Sequence, residues 1–343
     1  MNEWRQLLDF AASRGPSSTF ALATLVHRRG SSYRAPGARM LIAADGSYAG
    51  CLSGGCLEEL IAEVGRRVIV AGRSELLHID TRPHFGCPGQ LDIWIEALSA
   101  SAPDNGLLHA INERFSTRST FQLSTVFSAI QSHDMGAGEA TGTRLVGVDR
   151  VVSETADRLV QTVMPNPRLI VVGWTVDAEP LYRLATVLGW ETWRVVPSNE
   201  LLAEFRYEGA ERTVCCSPEE LATHFEPDAR TAVVVMTHHL GRDSHYLRHL
   251  LPHAYGYLGM LGSRRRREIV LGEMGELGLL DDDTLSARFY APMGLDIGAD
   301  QPDSIALAII SEIHAVWQGQ SAGFLRDRAG PLHPRTHLSL ATG

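Results

Sequence analysis

Cysteine is scarce in this chain of 343 residues and its count is odd: five thiols do not make a disulfide scaffold, and reduced cysteines are expected. Long apolar runs are missing too. None approaches the roughly 20 residues of a membrane span, and the opening MNEWRQLLDF lacks the charged-then-apolar pattern of a secretory signal, so a cytosolic protein is expected. Positive charge is in deficit, with 31 Lys and Arg against 40 Asp and Glu and a net charge of −9. That balance argues against a general nucleic-acid binder and leaves the basic run Arg264 to Arg267 as a local feature. No G-x-S-x-G or H-E-x-x-H motif supports a hydrolase. Cys51, Cys56 and Cys87 form a C-x4-C pair plus one distant thiol, which matches no tight zinc spacing. What is present is an ordinary globular composition, 44% hydrophobic and 21% charged, long enough for two domains.

The hydrophobic pattern reads as α/β: an N-terminal α+β domain over 1–164, a Rossmann-like doubly wound parallel-sheet domain over 168–320, and a tail over 321–343. An opening helix precedes a strand at Thr19 to Val26, and ARMLIAADGSYAG reads as a hairpin about Asp45-Gly46. Leu57, Leu60, Ile61, Val64 and Val68 mark one face of a helix. ELLHID and LDIWIEAL are strands joined by the glycine-rich loop that carries Cys87. SASAPDNG is a connector, and beyond it TFQLSTVFSAI, TRLVGV and RLVQTVM read as strands that extend the first domain. After the boundary at Pro165 to Pro167, strands at Leu169 to Val172 and Thr192 to Val196 flank a helix, the opening βαβ unit of a doubly wound sheet. TAVVVMTHH and AYGYLGMLG supply further buried strands.

The chemistry-bearing residues cluster at turns. CLSGGCLEEL sets Cys56 behind Gly54 and Gly55 at a helix start, where free N–H groups and the helix dipole favour a thiolate. Glu58 and Glu59 oppose that, but are expected to turn toward water. RRGSSYRAPGARM gathers Ser31, Ser32, Arg34, Gly37 and Arg39 after Gly30, a candidate anion-binding nest. LGMLGSRRRREIV offers Gly262, Ser263, Arg264 and Arg265 at a strand-to-helix turn, a second candidate anion site in which one or two of the four arginines face a ligand. His238 and His239 close a strand and read as hydrogen-bonded site histidines rather than zinc ligands. Gly294 and Asp296 lie in a loop ahead of a helix, Asp296 either binding a hydroxyl or amine of a ligand or serving the turn. The dinucleotide fingerprint is not met. GWTVDA keeps Gly173 and Ala178 but has Thr175 at the second glycine, and Pro197 and Ser198 stand where an acidic residue is expected, with Glu200 arriving late. Cys215 and Cys216 fall near a helix start.

Taken together, RRGSSYRAPGARMLIAADGSYAG, SGGCLEE, the Cys87 loop, VVVMTHH, YLGMLGSRRRR and APMGLDIGADQPDSIALAIISEIHAV resemble the xanthine dehydrogenase accessory (XdhC/CoxI) family, over residues 18–96 and 168–318. The resemblance implies a maturation factor that binds molybdenum cofactor, as molybdopterin or a nucleotide form, protects it during sulfuration and delivers it to a molybdenum hydroxylase client. It implies a cysteine desulfurase-type sulfur donor and a homodimer. It maps the functional thiols to Cys56, the candidate molybdenum ligand, and Cys87, and the LGSRR turn to Gly262 to Arg265. One turn departs: where relatives show G-A-G-H-V-A, this chain has GWTVDA. Two other classes remain open on the residues alone, an NAD(P)-dependent oxidoreductase and an interaction adaptor without a small ligand.

Overall fold

A computed structural model of the chain describes residues 3–15, 18–30, 33–81, 89–98, 106–127, 141–147, 153, 155, 157–198, 201, 209–278 and 289–329. The chain divides into two units, Met1–Pro165 and Asn166–Gly343.

The N-terminal unit is built from α1 (Glu3–Ser13), β1 (Phe20–Gly30), β2 (Arg39–Ala43), β3 (Tyr48–Gly50), α2 (Glu58–Ala71), β4 (Glu75–Asp80), β5 (Gly89–Leu98), α3 (Gly106–Ser116), β6 (Phe121–Val126), β7 (Gly142–Val146) and β8 (Arg158–Val163). Strands β1 to β5 form an antiparallel sheet in the order β3-β2-β1-β5-β4, with the Asp45-Gly46 hairpin joining β2 to β3. Strand β1 runs four residues past the expected Val26 because its carboxyl half stays paired with β5 as far as Gly30 opposite Gly89. Both faces of this strand are covered. Ala21, Ala23 and Leu25 pack with α2, whereas Phe20 and Leu22 pack with α1, α3 and β6. Small residues bring α2 close: a Cβ on Gly65 would lie 2.6 Å from Ile42 Cδ1. Leu57, Ile61, Val64 and Val68 are buried, but Leu60 is 45% exposed, because the inward face of α2 is rotated toward Glu58, Ala62 and Gly65. Helix α3, which the composition of its neighbourhood hid, buries Leu108 and Ile111. The last three strands form their own antiparallel sheet in the order β7-β6-β8.

The C-terminal unit carries β9 (Arg168–Val172), α4 (Glu179–Val187), β10 (Glu191–Val196), β11 (Arg212–Cys215), β12 (Thr231–Val235), α5 (Leu240–Leu250), β13 (Tyr257–Met260), α6 (Arg264–Glu276), β14 (Phe289–Tyr290) and α7 (Pro302–Trp317). Its six strands are parallel in the order β11-β10-β9-β12-β13-β14, the 3-2-1-4-5-6 winding of a Rossmann sheet. Ile170 and Val172 pack with α5 and α6 on one face, Leu169 and Val171 with α4 and α7 on the other, so every residue of β9 is buried. Cys215 and Cys216 do not start a helix: Cys215 ends β11, and only a short 3-10 turn, Leu221–Thr223, follows. Among the described residues no helix is long and apolar enough to cross a membrane.

Candidate functional site

Cys56 is exposed on the loop that leads into α2, and helix geometry begins two residues later, at Glu58. The amides expected to favour a Cys56 thiolate are instead donated to Glu58. Its Oε1 accepts from the Cys51 thiol (3.2 Å), the Leu52 amide (2.9 Å) and the Ser53 amide (2.8 Å). Its Oε2 accepts from the Ser53 hydroxyl (2.6 Å) and the Gly55 (2.9 Å) and Leu57 (3.1 Å) amides. Glu58 therefore does not turn toward water but is 3% exposed at the centre of the loop, while Glu59 stays exposed. Gly54 and Gly55, at φ +89° and +109°, supply the left-handed backbone that wraps the loop around the carboxylate. Burial alone would raise the Glu58 carboxyl, but the Ser53, Cys51 and Leu52 donors outweigh it and hold the group at about 2.

The two neighbouring thiols are thereby distinguished. Burial and the Glu58 hydrogen bond push the Cys51 thiol up, so it keeps its proton, and its sulfur also accepts from the Gly54 amide at 3.1 Å. Cys56 is left as the thiol on the open side. Tyr33, 67% exposed, sets its ring edge 3.3 Å from where a Gly54 Cβ would stand.

The nest expected around Gly30 is differently employed. Arg34 reaches Glu3 of α1 at 2.9 Å. Arg39 is 1% exposed, bonds the Gly37 carbonyl and the Gln161 side chain, and lies 5.1 Å over the Trp4 ring. Burial lowers its guanidinium to about 10, opposed by Glu3 and Glu96. The Gly37 amide is bonded to the Leu25 carbonyl. Arg34, Gly37 and Arg39 thus tie the loop to its own unit instead of lining an anion site. Ser31, Ser32 and Cys87, and the late Glu200 of the second unit, lie outside the described residues.

In the C-terminal unit the strand order reverses between β9 and β12, where open α/β sheets place their ligand crevice. The turns leaving β9, β12, β13 and β14 bring Gly173, His238, Gly262, Ser263 and Gly294 to this carboxyl edge. His238, at φ +59°, directs Nε2 to Asp177 Oδ2 at 2.7 Å, and Asp177 also accepts from the Thr175 hydroxyl. His239 caps α5 through the Arg242 amide, and Arg242 stacks 5.1 Å from the Trp174 ring. Asp243 is fully buried and accepts from the Thr237 amide and hydroxyl and from Arg266. Ser263 caps α6 by accepting from the Arg266 amide. Of the four arginines, Arg264 and Arg265 are exposed and Arg266 is the one bonded inward to Asp243. Gly294 donates its amide to Glu312 at 2.9 Å, whereas Asp296 is exposed.

Sequence reasoning missed Asp177 and Asp243, weighed Cys51 only as a zinc ligand, left Arg266 undistinguished among the four arginines and misassigned Glu58. Two signals were available. Glu58 follows a Ser-Gly-Gly loop at the first helical position, where a carboxylate can gather orphan amides, and Arg266 shares its helix face with Val270 and Met274, the buried residues four and eight positions on.

The turn after β9 departs from a dinucleotide-binding turn at Thr175. Gly173 is demanded by packing, since its Cβ would lie 2.8 Å from the Met236 carbonyl oxygen. Asp177 is bonded to both Thr175 and His238, and Asp177 and Glu179 put acid at the helix start. Each acidic group there repels a phosphate by like charge. Calorimetry with NAD and NADP is expected to show no tight binding. Micromolar affinity for either would restore the oxidoreductase reading.

The comparisons with known proteins follow the same division. Residues 15–80 match the XdhC and CoxI family, and residues 169–313 match the XdhC Rossmann domain. A Bacillus subtilis protein, named there as a probable component of xanthine dehydrogenase, is 29% identical, aligned over 85% of this chain and 91% of its own. The Escherichia coli "Molybdenum cofactor insertion chaperone PaoD" is 27% identical over 92% and 89%. A solved structure described as a xanthine dehydrogenase from Bacillus halodurans shares the fold, with a TM-score of 0.76, 22% identity, and coverage of 94% of this chain and 97% of its own. With one match over the cysteine-bearing half and the other over the parallel sheet, this chain belongs to the XdhC and CoxI family.

Proposed function

We propose that this protein binds molybdenum cofactor, protects it while a cysteine desulfurase-type donor supplies the terminal sulfido ligand, and delivers it to a xanthine dehydrogenase-type hydroxylase in the reducing cytosol. The observation that carries this reading is the Cys56 loop, an open thiol on a turn locked in place by the buried Glu58 carboxylate. A soft thiol sulfur suits a transition-metal centre. The cargo also brings a planar pterin and a phosphate. Exposed Tyr33 beside Gly54 offers a face for the former. Cys51 has a different part: it keeps its proton and helps hold the turn. Relatedness to a molybdenum cofactor insertion chaperone supports the same cargo.

The purified protein, incubated with molybdenum cofactor and passed through gel filtration, is expected to elute with stoichiometric molybdenum and then to raise the activity of a cofactor-free hydroxylase. Elution without molybdenum, with hydroxylase activation unchanged by the protein, would leave the adaptor reading in its place.

A further inference from the structure

We propose that Glu219, His245 and His249 of the C-terminal unit form a binding site for a divalent cation of the zinc class. His245 and His249 stand one helical turn apart on α5, with ring centroids separated by 5.6 Å. The scaffold on either side is fixed. Tyr246 donates its hydroxyl to the Cys216 carbonyl at 3.2 Å, and Leu247 and Leu250 share a buried cluster with Leu221 and Phe225. Ahead of Leu221, the Ser217 amide bonds the Glu220 carboxylate and the Glu220 amide bonds the Ser217 carbonyl, closing the turn that carries Glu219.

The distances fit a shared cation. Glu219 Oε1 lies 2.7 Å from His245 Nε2 and 3.9 Å from His249 Nε2, and the donor atoms of all three residues fall within 4.8 Å of one another. Ligand atoms around a tetrahedral zinc with bonds of about 2.0–2.2 Å stand about 3.4 Å apart. The two distances from Glu219 bracket that value. Two imidazoles and a carboxylate suit zinc, nickel, cobalt or copper rather than calcium or magnesium. An ordinary surface ion pair would need only His245. The second imidazole facing the same oxygen is what a bridging cation requires. The three side chains are between 32% and 52% exposed, which leaves the remaining coordination positions to water. A bound ion would pin the segment after β11 to α5, whose first turns carry Arg242 and Asp243 of the switch-point edge.

The test is calorimetric titration of the full, untagged chain with zinc chloride. Even residues that only orient a metal ligand are worth roughly 10–100-fold in affinity, so His245→Ala, His249→Ala and Glu219→Gln are each expected to weaken zinc binding by about tenfold or more. Cys215→Ser is expected to leave it unchanged, and circular dichroism confirms that each variant folds. Undiminished zinc affinity in His249→Ala, loss of binding on replacing Cys215, or no binding by the wild type at micromolar zinc would each overturn the proposal.

Discussion

Replacing Asp243 by alanine is expected to destabilise the C-terminal unit by about 3–5 kcal/mol, the usual cost of stripping one partner from a buried ion pair. Asp243 has no exposure and joins three elements. It takes the amide and hydroxyl of Thr237 just past β12, it belongs to the first turn of α5, and it holds Arg266 of α6. Without it Arg266, itself 23% exposed, keeps its charge and loses its acceptor. Urea unfolding followed by tryptophan fluorescence reads this unit well, since Trp174, Trp190, Trp193 and Trp317 lie in it. Arg266→Ala in the Asp243→Ala background should then cost less than it does alone, the mark of a direct coupling. A loss below about 1 kcal/mol, as for a surface pair, would show that the pair does not hold the edge together.

Glu58→Ala is expected to lose both stability and cargo. The carboxylate is the common acceptor for the amides of Leu52, Ser53, Gly55 and Leu57, and each buried donor left unmatched costs about 1–3 kcal/mol before relaxation. The loop can open to water and recover part of this, and opening is what dislodges Cys56. The pH dependence gives the same donors a second readout. Folding depresses the group to about 2, below the roughly 4.3 of a free glutamate. A depressed carboxyl contributes stability that is complete above its unfolded value and is lost as pH falls through the folded one. Wild-type stability should therefore decline between about pH 4.5 and 2, and Glu58→Ala should flatten that decline. A variant with wild-type acid sensitivity would contradict the assignment.

What the sequence made legible was decided by burial on both faces. RLIVV and TAVVV are largely apolar runs because helices cover both sides of a parallel sheet. The α2 stripe was legible for the same reason, up to its rotational setting. Charged residues at turns were read less well, because their direction depends on which backbone groups the folded loop leaves open. Glu58 next to a cysteine reads as a like-charge neighbour, yet the loop closes on it. Arg39 reads as an anion ligand within RAPGARM, yet its alternation in β2 turns it toward Trp4 and Gln161. Only the phase of α6 decides which of four arginines enters the interior. Val270 and Met274 set that phase, and both were present in the sequence.

The role proposed for Cys56 is tested most directly by the amount of molybdenum retained per chain after gel filtration for wild type, Cys56→Ser and Cys215→Ser. Both cysteines are exposed, so neither substitution disturbs a core, and Cys215 ends a strand in the other unit. Cys215→Ser is expected to retain as much molybdenum as wild type, and Cys56→Ser to lose most of it while keeping its fold. Equal retention by the two variants would contradict that role.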